Sequence, residues 1–316
     1  MRKAGEFCLQ NQVQRNAEIA LVVSEETIKS MPMLRQAEAT GMVQVYQQDG
    51  SVKKVRSGGI ALTGESFIGN ATRYARLGAP VDYLLAEDLH DHPGDYKLYV
   101  FINCFSYDQN FLQAIEQLRK RDCILFWIYA PGYTFNRANS VDNMRRLTGI
   151  TLQKVADPIL PAVQLSDGRW LGTRTLRIAP MFHAPDQPGL EKLGSYENEL
   201  NGLVALRTGK ALSMFCGAYQ FDVPFLTELA KRAGVHIYSE NSDPMEANAS
   251  LFTLHARFPG VKTVRLPRKT DILDVMNKKI VARNTDQFSF DAPLHSSWIF
   301  YYGSDAENLL KNLMEK

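Results

Sequence analysis

Polar and reactive side chains follow several apolar runs that are typical of buried strands. In an open α/β sheet, ligands bind beyond the carboxyl ends of the strands. The candidate ligand-binding residues at that edge are Ser24, Glu25, Asn103, Tyr133 and Cys216. The set offers a hydroxyl, a carboxylate, an amide, a phenol and a thiol, which are groups used in nucleophilic and acid–base catalysis.

Cys216 precedes Gly217 at the end of an apolar run, which is similar to a nucleophile on a sharp turn. A catalytic cysteine also needs a neighbouring group that lowers its pKa or takes its proton. The other position for such a turn, between a strand and a helix, is Tyr129–Tyr133, where Pro131 replaces a Cys or Ser. The sequence therefore favours a buried structural role for Cys216 and predicts no catalytic residue.

Other catalytic and metal-binding patterns are weak. Of the six histidines, His90 and His92 lie close together in a loop with no third ligand nearby, so no metal site is predicted. Glu25 and Glu240 could form a carboxylate pair for glycosidic bond cleavage, but the sequence does not give their separation. No GxGxxG follows a strand and no Walker A pattern occurs, so no nucleotide cofactor is predicted.

The composition is ordinary for a globular chain. The 316 residues suffice for one large or two ordinary domains, with 45% hydrophobic and 22% charged residues. The net charge of +2 comes without a cluster of Lys and Arg interleaved with aromatics, so nucleic-acid binding is not predicted. No apolar run approaches the roughly 20 residues of a membrane span, and no apolar segment behind the N-terminal basic residues indicates a signal peptide.

The four cysteines, Cys8, Cys104, Cys123 and Cys216, are widely spaced and include no CxxC pair. Three of them lie in apolar, strand-like runs, where a free cysteine behaves as a small buried hydrophobic residue. Neither a metal site nor a disulfide framework is predicted. Cysteine usage therefore leaves the cellular compartment open.

The strongest structural pattern covers residues 97–133. KLYVFINCF is apolar on both faces, as a central strand of a parallel sheet must be, and Cys123–Ala130 is a second such run ended by Pro131-Gly132. Between them, one face of a helix carries Phe111, Leu112, Ile115 and Leu118. Strand, helix and strand with short joints predict a right-handed crossover, and hence a doubly wound, mostly parallel α/β sheet.

Three hairpins are predicted from alternating residues around Asp49-Gly50, Asp167-Gly168 and Thr208-Gly209. The first hairpin, MVQVYQQDGSVKKVRS, carries valines that fit an arm lying on a partner subunit, or on its own domain. The proline-rich segment Ala179–Gly194 is predicted to be irregular. From Val235 onward, short β-rich segments predict a small antiparallel sheet or sandwich followed by a closing helix.

Several sequence segments, taken in their order along the chain, resemble the glutamine-amidotransferase-like domain of β-galactosidase-type glycoside hydrolases. This domain is often called the trimerisation domain. The segments are AEIALVVSEE, RYARLGAPVDYLLAEDL, YKLYVFINCF, LFWIYAPGY and NMRRLTGI. RAGVHIYSENSDPMEANASLFTLHA and KTVRLPRKTDILDVMNKKIVARN are similar to the end of that domain and the small β-structure after it. The resemblance covers about Arg15 to Gly303.

The resemblance implies a flavodoxin-like sheet of the class I glutamine amidotransferase type with a small C-terminal β-rich segment. It also implies that the amidotransferase nucleophile is absent, with which the Ala130-Pro131-Gly132 turn agrees. The catalytic carboxylates of the parent glycosidases lie in a (β/α)8 barrel, which needs about 250 residues, and no room for it is expected before Ala17. We therefore expect a linker helix over 1–16, an amidotransferase-like domain over 17–240, and a β-rich segment over 241–316.

Functionally, the resemblance implies a non-catalytic accessory or oligomerisation domain that borders a carbohydrate cleft. A homo-oligomer and a carbohydrate ligand are expected, without a cofactor, a nucleic acid or a membrane. Two alternatives stay open at this point. One is a stand-alone hydrolase that uses Glu25, Asn103, Tyr133 or Cys216, and the other is a carbohydrate-binding module at the same sheet edge.

Overall fold

The computed structural model describes residues 6, 14–28, 42–46, 52–56, 64–175 and 177–315. The chain divides into two compact units. The C-terminal unit comprises Met1–Ile19, Thr72–Asp82 and Val223–Lys316, and the large-sheet unit comprises Ala20–Ala71 and Tyr83–Asp222. The predicted linker helix over 1–16 lies mostly outside the described residues, and the predicted boundary at 240 stays a prediction.

Strands form most of the regular structure in the described residues. In chain order they are β1 Ile19–Val23, β2 Met42–Tyr46, β3 Val52–Arg56, β4 Val81–Leu85, β5 Leu98–Phe101, β6 Ser106–Tyr107, β7 Ile124–Ile128, β8 Thr134–Phe135, β9 Ala138–Asn139, β10 Gln153–Lys154, β11 Ala162–Leu165, β12 Trp170–Gly172, β13 Phe182–His183, β14 Glu191–Ser195, β15 Asn201–Thr208, β16 Ala211–Cys216, β17 Met245–Ala247, β18 Leu251–His255, β19 Gly260–Asp274, β20 Lys279–Ala292 and β21 Ser297–Tyr301.

The helices are short. A π-helical turn, Gly64–Ile68, leads into the first α-helix, and a 3-10 turn, Ala86–Asp88, follows β4. The α-helices are α1 Gly69–Tyr74, α2 Gln109–Leu118, α3 Val141–Thr148, α4 Val223–Arg232 and α5 Ala306–Met314. None of the helices in the described part of the chain is both long enough and apolar enough to cross a membrane.

Nine strands form one large sheet in the order β12-β11-β14-β15-β16-β7-β5-β1-β4. Strand β7 pairs in parallel with both β16 and β5, whereas β12, β11, β14, β15 and β16 are joined by antiparallel pairings. The fold is therefore α/β as predicted, but the prediction of a mostly parallel sheet was wrong for this half. Tight turns at Gly168 (φ 86°) and Gly209 (φ 72°) return the chain beside itself as hairpins.

The crossover predicted over residues 97–133 is present as β5, α2 and β7. Asp108 begins the helix, since its carboxylate accepts a hydrogen bond from Phe111 N at 2.8 Å. The predicted helix face is buried against the sheet, and Phe101 stacks on Trp127 with 3.9 Å between ring centroids. Burial of this face and of both strands makes the crossover the core of the large-sheet unit.

The three predicted hairpins are confirmed as β2–β3, β11–β12 and β15–β16. The turn between β2 and β3 lies outside the described residues. The segment Ala179–Gly194, predicted to be irregular, contains β13 and most of β14. Strand β14 pairs with β15 through register shifts at Lys192, Gly194 and Ser195. These shifts interrupt the alternation of apolar and polar residues that would identify a strand in the sequence.

The C-terminal unit contains the predicted small sheet, with strand order β17-β18-β21-β19-β20. Two strands are much longer than predicted. KTVRLP and all of DILDV except Val275 lie in one 15-residue strand, β19, and KIVARN and all of QFSFDAP except Pro293 lie in the 14-residue β20. Register shifts between Arg265 and Leu273 interrupt the pairing of β19 with β20, so the alternation of apolar and polar residues is regular only over short stretches. HIYS at 236–239, predicted as a strand, is irregular.

Candidate functional site

The candidate site lies where β1, β5, β7 and β16 end, next to one another in the large sheet. Ser24 directly follows β1, Asn103 lies two residues beyond β5, and Tyr129 follows β7. Cys216 is the last residue of β16, and its carbonyl oxygen accepts a hydrogen bond from Tyr129 N at 2.8 Å. The structure therefore brings these strand ends to one edge, as the sequence predicted.

Ser24 and Asn103 are bonded to each other and buried. Asn103 Oδ1 accepts from Ser24 N at 2.8 Å, while Asn103 Nδ2 donates to Ser24 O at 3.1 Å. Both residues are almost fully buried, with exposed fractions of 1% and 0%. The amide of Asn103 thus satisfies both backbone groups of Ser24 and holds the ends of β1 and β5 together, which is a structural role.

Glu87, a residue that the sequence did not single out, anchors the turn after β1. Its carboxylate accepts hydrogen bonds from Ser24 Oγ at 3.0 Å, Glu26 N at 2.9 Å and Glu25 N at 3.2 Å. Partial burial opposes ionisation, but the backbone and hydroxyl donors outweigh it and lower the pKa of Glu87. The side chains of Glu25 and Glu26 are exposed beside this anchor.

Cys216 has the environment of an inert thiol. The residue is fully buried, and burial raises the pKa of the thiol to about 12, although the backbone of Ala218 opposes the shift. A thiolate nucleophile requires the opposite environment, with partial exposure and positive charge nearby. The structure therefore agrees with the structural role that the sequence favoured for Cys216.

Tyr129 occupies the sharp turn after β7, two residues before Pro131, where the sequence had placed the position of a nucleophile. Its φ of 63° lies in the left-handed region, which is rare and strained for a bulky residue. Its hydroxyl donates to Pro180 O at 2.8 Å, and burial raises the pKa of the phenol. The strained position at this edge is thus filled by a buried phenol that is already hydrogen-bonded.

Aromatic rings surround Tyr129 and form a cluster along the sheet edge. Their centroids lie 5.6 Å from Tyr129 for Phe105 and 6.3 Å for both Phe182 and Tyr219. Tyr133 extends the cluster, with its ring centroid 5.0 Å from that of Phe182. Phe105 and Tyr133 are only partly buried, whereas the other three residues of the cluster are buried.

Lys154, which is exposed on β10, places a positive charge over the Tyr133 ring. Its Nζ lies 5.2 Å from the ring centroid, a cation–π distance. Two partly buried rings and an ammonium group therefore lie at this edge of the sheet. We call Phe105, Tyr133 and Lys154 the aromatic edge.

The cluster is held in place by Tyr196, which is 2% exposed. Its hydroxyl donates to Phe182 O at 2.6 Å and lies against the α-carbon of Gly217, where an added Cβ would overlap the phenol oxygen. Burial raises the pKa of Tyr196, so the phenol stays a hydrogen-bond donor. Gly217 is therefore required by the close approach of Tyr196, and not by its own backbone conformation.

The remaining sequence candidates are Glu240 and two of the histidines. Glu240 belongs to the C-terminal unit, where it bonds Lys231 and lies 3.2 Å from Arg265 Nη1. His90 and His92 are exposed, and no group of three or more metal-ligating side chains occurs among the described residues. Sequence reasoning missed Glu87, Phe182 and Lys154, because nothing in a 3-10 turn, a proline-rich segment or a two-residue strand marks them.

Comparison with known proteins gives matches only at the level of structure, since no protein family and no curated protein matches the sequence. The β-galactosidase from Bacillus circulans sp. alkalophilus superposes with a TM-score of 0.62 at 14% identity, covering 96% of this chain and 43% of that chain. A catalytic mutant of a GH42 β-galactosidase from G. stearothermophilus gives 0.62 at 12% identity, covering 92% and 40%. The β-galactosidase from Rahnella sp. R3 gives 0.56 at 16% identity, covering 92% and 41%.

The chain is thus an α/β protein with a large mixed sheet and a C-terminal β-rich sheet. Nearly all of it shares its fold with a portion of β-galactosidases, including GH42 enzymes. It spans less than half the length of the β-galactosidases that it matches. Because the identities are low, the likeness defines the fold and leaves activity to be argued from the site.

Proposed function

We propose that this chain is a non-catalytic accessory domain of a β-galactosidase-type glycoside hydrolase, of the amidotransferase-like, trimerisation type. The observation that carries the proposal is the extent of the fold match. It covers 92–96% of this chain but only 40–43% of each β-galactosidase chain. A match that covers nearly all of this chain but less than half of each enzyme is expected of a module within a larger enzyme.

The chemistry of the sheet edge supports a role without turnover. Cys216 is buried with a raised pKa, and Tyr129 fills the sharp turn with a hydrogen-bonded phenol. Ser24 and Asn103 bond each other. No (β/α)8 barrel occurs among the described residues. Such a barrel carries its active site at the carboxyl ends of its strands.

The aromatic edge supports a position beside a carbohydrate cleft. A sugar ring offers C–H groups on one face and hydroxyls around its rim, and it fits a flat ring next to polar groups. Tyr133 provides such a ring and Lys154 provides a hydrogen-bond donor 5.2 Å from its centroid. The amidotransferase-like, flavodoxin-type classification of the large sheet and self-association of the chain belong to the same proposal.

Turnover assays test the proposal. The intact chain is incubated with nitrophenyl galactoside and, separately, with glutamine, and neither is expected to be converted. Cys216→Ala and Glu25→Gln serve as matched variants. Turnover of either compound that disappears in one of these variants would contradict the non-catalytic assignment and make the chain a hydrolase in its own right.

A further inference from the structure

The C-terminal unit contains a cavity of its own, with a volume of about 200 Å³. All of the lining residues belong to this unit, and the apolar walls are Ala79, Pro80, Val235 and Pro267. Sites for small molecules combine mostly apolar walls with a few placed polar groups, and they usually measure about 300–1,000 Å³ for drug-sized ligands. The smaller cavity suits a ligand of only a few heavy atoms.

A chain of hydrogen bonds fixes the orientation of the Asn16 side chain, which also lines the cavity. The Tyr302 hydroxyl donates to Asn248 O, because a carbonyl oxygen can only accept. The Tyr238 hydroxyl, 3.3 Å away, must therefore donate to the Tyr302 oxygen. Asn16 Nδ2 donates in turn to the Tyr238 hydroxyl at 2.6 Å. Burial raises the pKa of both phenols, so both keep the protons that this direction requires.

This arrangement leaves Asn16 Oδ1 as a buried acceptor. Since Nδ2 is committed to the Tyr238 hydroxyl, the amide cannot turn over to exchange its oxygen for its nitrogen. Among the described residues, Asn16 Oδ1 has no hydrogen-bond partner. A buried acceptor without a donor carries an uncompensated desolvation cost. A molecule bound in the cavity that Asn16 lines can supply the donor.

The other polar groups of the cavity are also acceptors. Glu18 contributes a carboxylate, whose Oε2 accepts from His236 N at 2.7 Å. His236 Nε2 donates to Arg265 O at 3.0 Å, so Nδ1 of the neutral ring is an acceptor. The ring of Tyr238 adds an aromatic wall, and the face of such a ring attracts cations. The lining therefore favours a ligand that donates hydrogen bonds and carries positive charge.

Basic side chains of the protein do not already supply this charge. In the described part of the chain, neither a lysine nor an arginine lines the cavity. Arg15, which precedes Asn16, is paired with Asp82, and the side chain of Arg265 is paired with Glu240 at 3.2 Å. Both guanidinium groups are thus bonded to carboxylates that do not line the cavity.

We propose that this cavity binds a small aliphatic primary ammonium ligand. The ammonium group, with its three donors, would bond Asn16 Oδ1 and the Glu18 carboxylate and lie near the Tyr238 ring. The methylene groups of the ligand would lie against the proline and valine walls. The inference rests on the C-terminal unit alone, and it goes beyond the glycosidase assignment by giving this unit a ligand of its own.

Titration of n-butylammonium into the isotope-labelled intact chain, followed by NMR, tests the site. The backbone amide signal of His236 should shift and saturate, because this amide donates to the carboxylate that receives the ligand. Glu18→Gln removes the charge and keeps an acceptor for His236 N, and it should weaken binding by about tenfold or more. The matched control, Glu307→Gln, removes an exposed carboxylate of α5 in the same unit and should leave the affinity unchanged.

Two further measurements separate charge recognition from filling of the cavity. Butanol and butyrate, which have the same chain but no positive charge, should each bind the wild type at least about tenfold more weakly than n-butylammonium. Asn16→Ala removes the buried acceptor and should weaken n-butylammonium binding by about tenfold, with thermal unfolding as the check that each variant is folded. The wild-type chain alone can contradict the proposal, through a His236 signal that does not saturate or equal affinity for butanol. An affinity that either folded variant leaves unchanged would also overturn it. None of these results would touch the glycosidase assignment, which is judged by turnover.

Discussion

The side-chain amide of Asn103 pairs with the backbone of Ser24 as a neighbouring strand would, accepting from Ser24 N at 2.8 Å and donating to Ser24 O at 3.1 Å. The pair extends the contact between β1 and β5 past the last regular residue of each strand. Because the edge of the sheet depends on it, this relationship gives the first prediction.

Asn103→Ala should destabilise the fold. The substitution leaves the buried amide of Ser24 without a partner, at a cost of about 1–3 kcal/mol, and leaves its carbonyl oxygen with only the 3.4 Å hydrogen bond from Ile28 N. Urea denaturation of the wild type and the variant measures the loss. Asn110→Ala, which changes an exposed asparagine of α2, is the matched control and should stay within about 0.5 kcal/mol. Equal stability of both variants would contradict the structural role of Asn103.

Glu87 should make the stability of the chain sensitive to acid. Since its pKa is lowered in the folded state, its contribution is fully present above the unfolded pKa and is lost as the pH falls through the folded value. The contribution is expected to be below about 1 kcal/mol, because the side chain is largely exposed. The stability difference between wild type and Glu87→Gln should therefore shrink from neutral pH to acid. A stability difference that does not change with pH would contradict this role of Glu87. Glu116→Gln on α2 serves as the control.

Tyr196 and Gly217 should behave as a coupled pair. Gly217→Ala forces a methyl group into the Tyr196 hydroxyl and should cost about 1–3 kcal/mol through overpacking. Tyr196→Phe orphans Phe182 O and should cost about 1 kcal/mol or more. The double variant should lose less stability than the two single variants lose together, because the phenol oxygen that clashes with the methyl group has been removed. Strict additivity in the double-mutant cycle would contradict the close approach.

The cysteines should differ sharply in reactivity between native and unfolded protein. Cys104, Cys123 and Cys216 are free and buried. Burial raises the pKa of all three thiols, to about 11 for Cys123 and about 12 for Cys216. Native protein should therefore label slowly with a thiol reagent at these three positions, and denatured protein should label fast. Fast native labelling of Cys104 or Cys123 would mean that these strands are not central.

How much of this could be predicted depended on whether the determining interactions were local. The crossover over residues 97–133 was predictable because continuous apolar runs and the Pro131-Gly132 stop act over short distances. The hairpins at Gly168 and Gly209 were predictable from their turns. The mixed character of the sheet was missed, because nothing in Glu191–Ser195 reveals that β14 inserts between β11 and β15.

The candidate site could likewise be predicted only where the determining interactions were local. Ser24, Asn103, Tyr133 and Cys216 were expected at one edge because the ends of neighbouring strands must meet there. The burial of Cys216 was also expected, because the residue lies in an apolar run. That Asn103 pairs with Ser24 depends on packing between distant segments. Glu87 and Phe182 entered the site through contacts between residues that are 61 and 53 positions apart in the chain. No local pattern reports such contacts.

The most direct test of the account is the behaviour of lactose in solution with the intact chain, followed by NMR. Saturation transferred from protein to the galactosyl ring reports binding, and free galactose in the same sample reports hydrolysis. Transfer to the galactosyl ring is expected to be lost in Tyr133→Ala and retained in Tyr83→Ala, and no free galactose is expected. Galactose release, or transfer that is unchanged in Tyr133→Ala, would contradict a non-catalytic domain that meets carbohydrate at its aromatic edge.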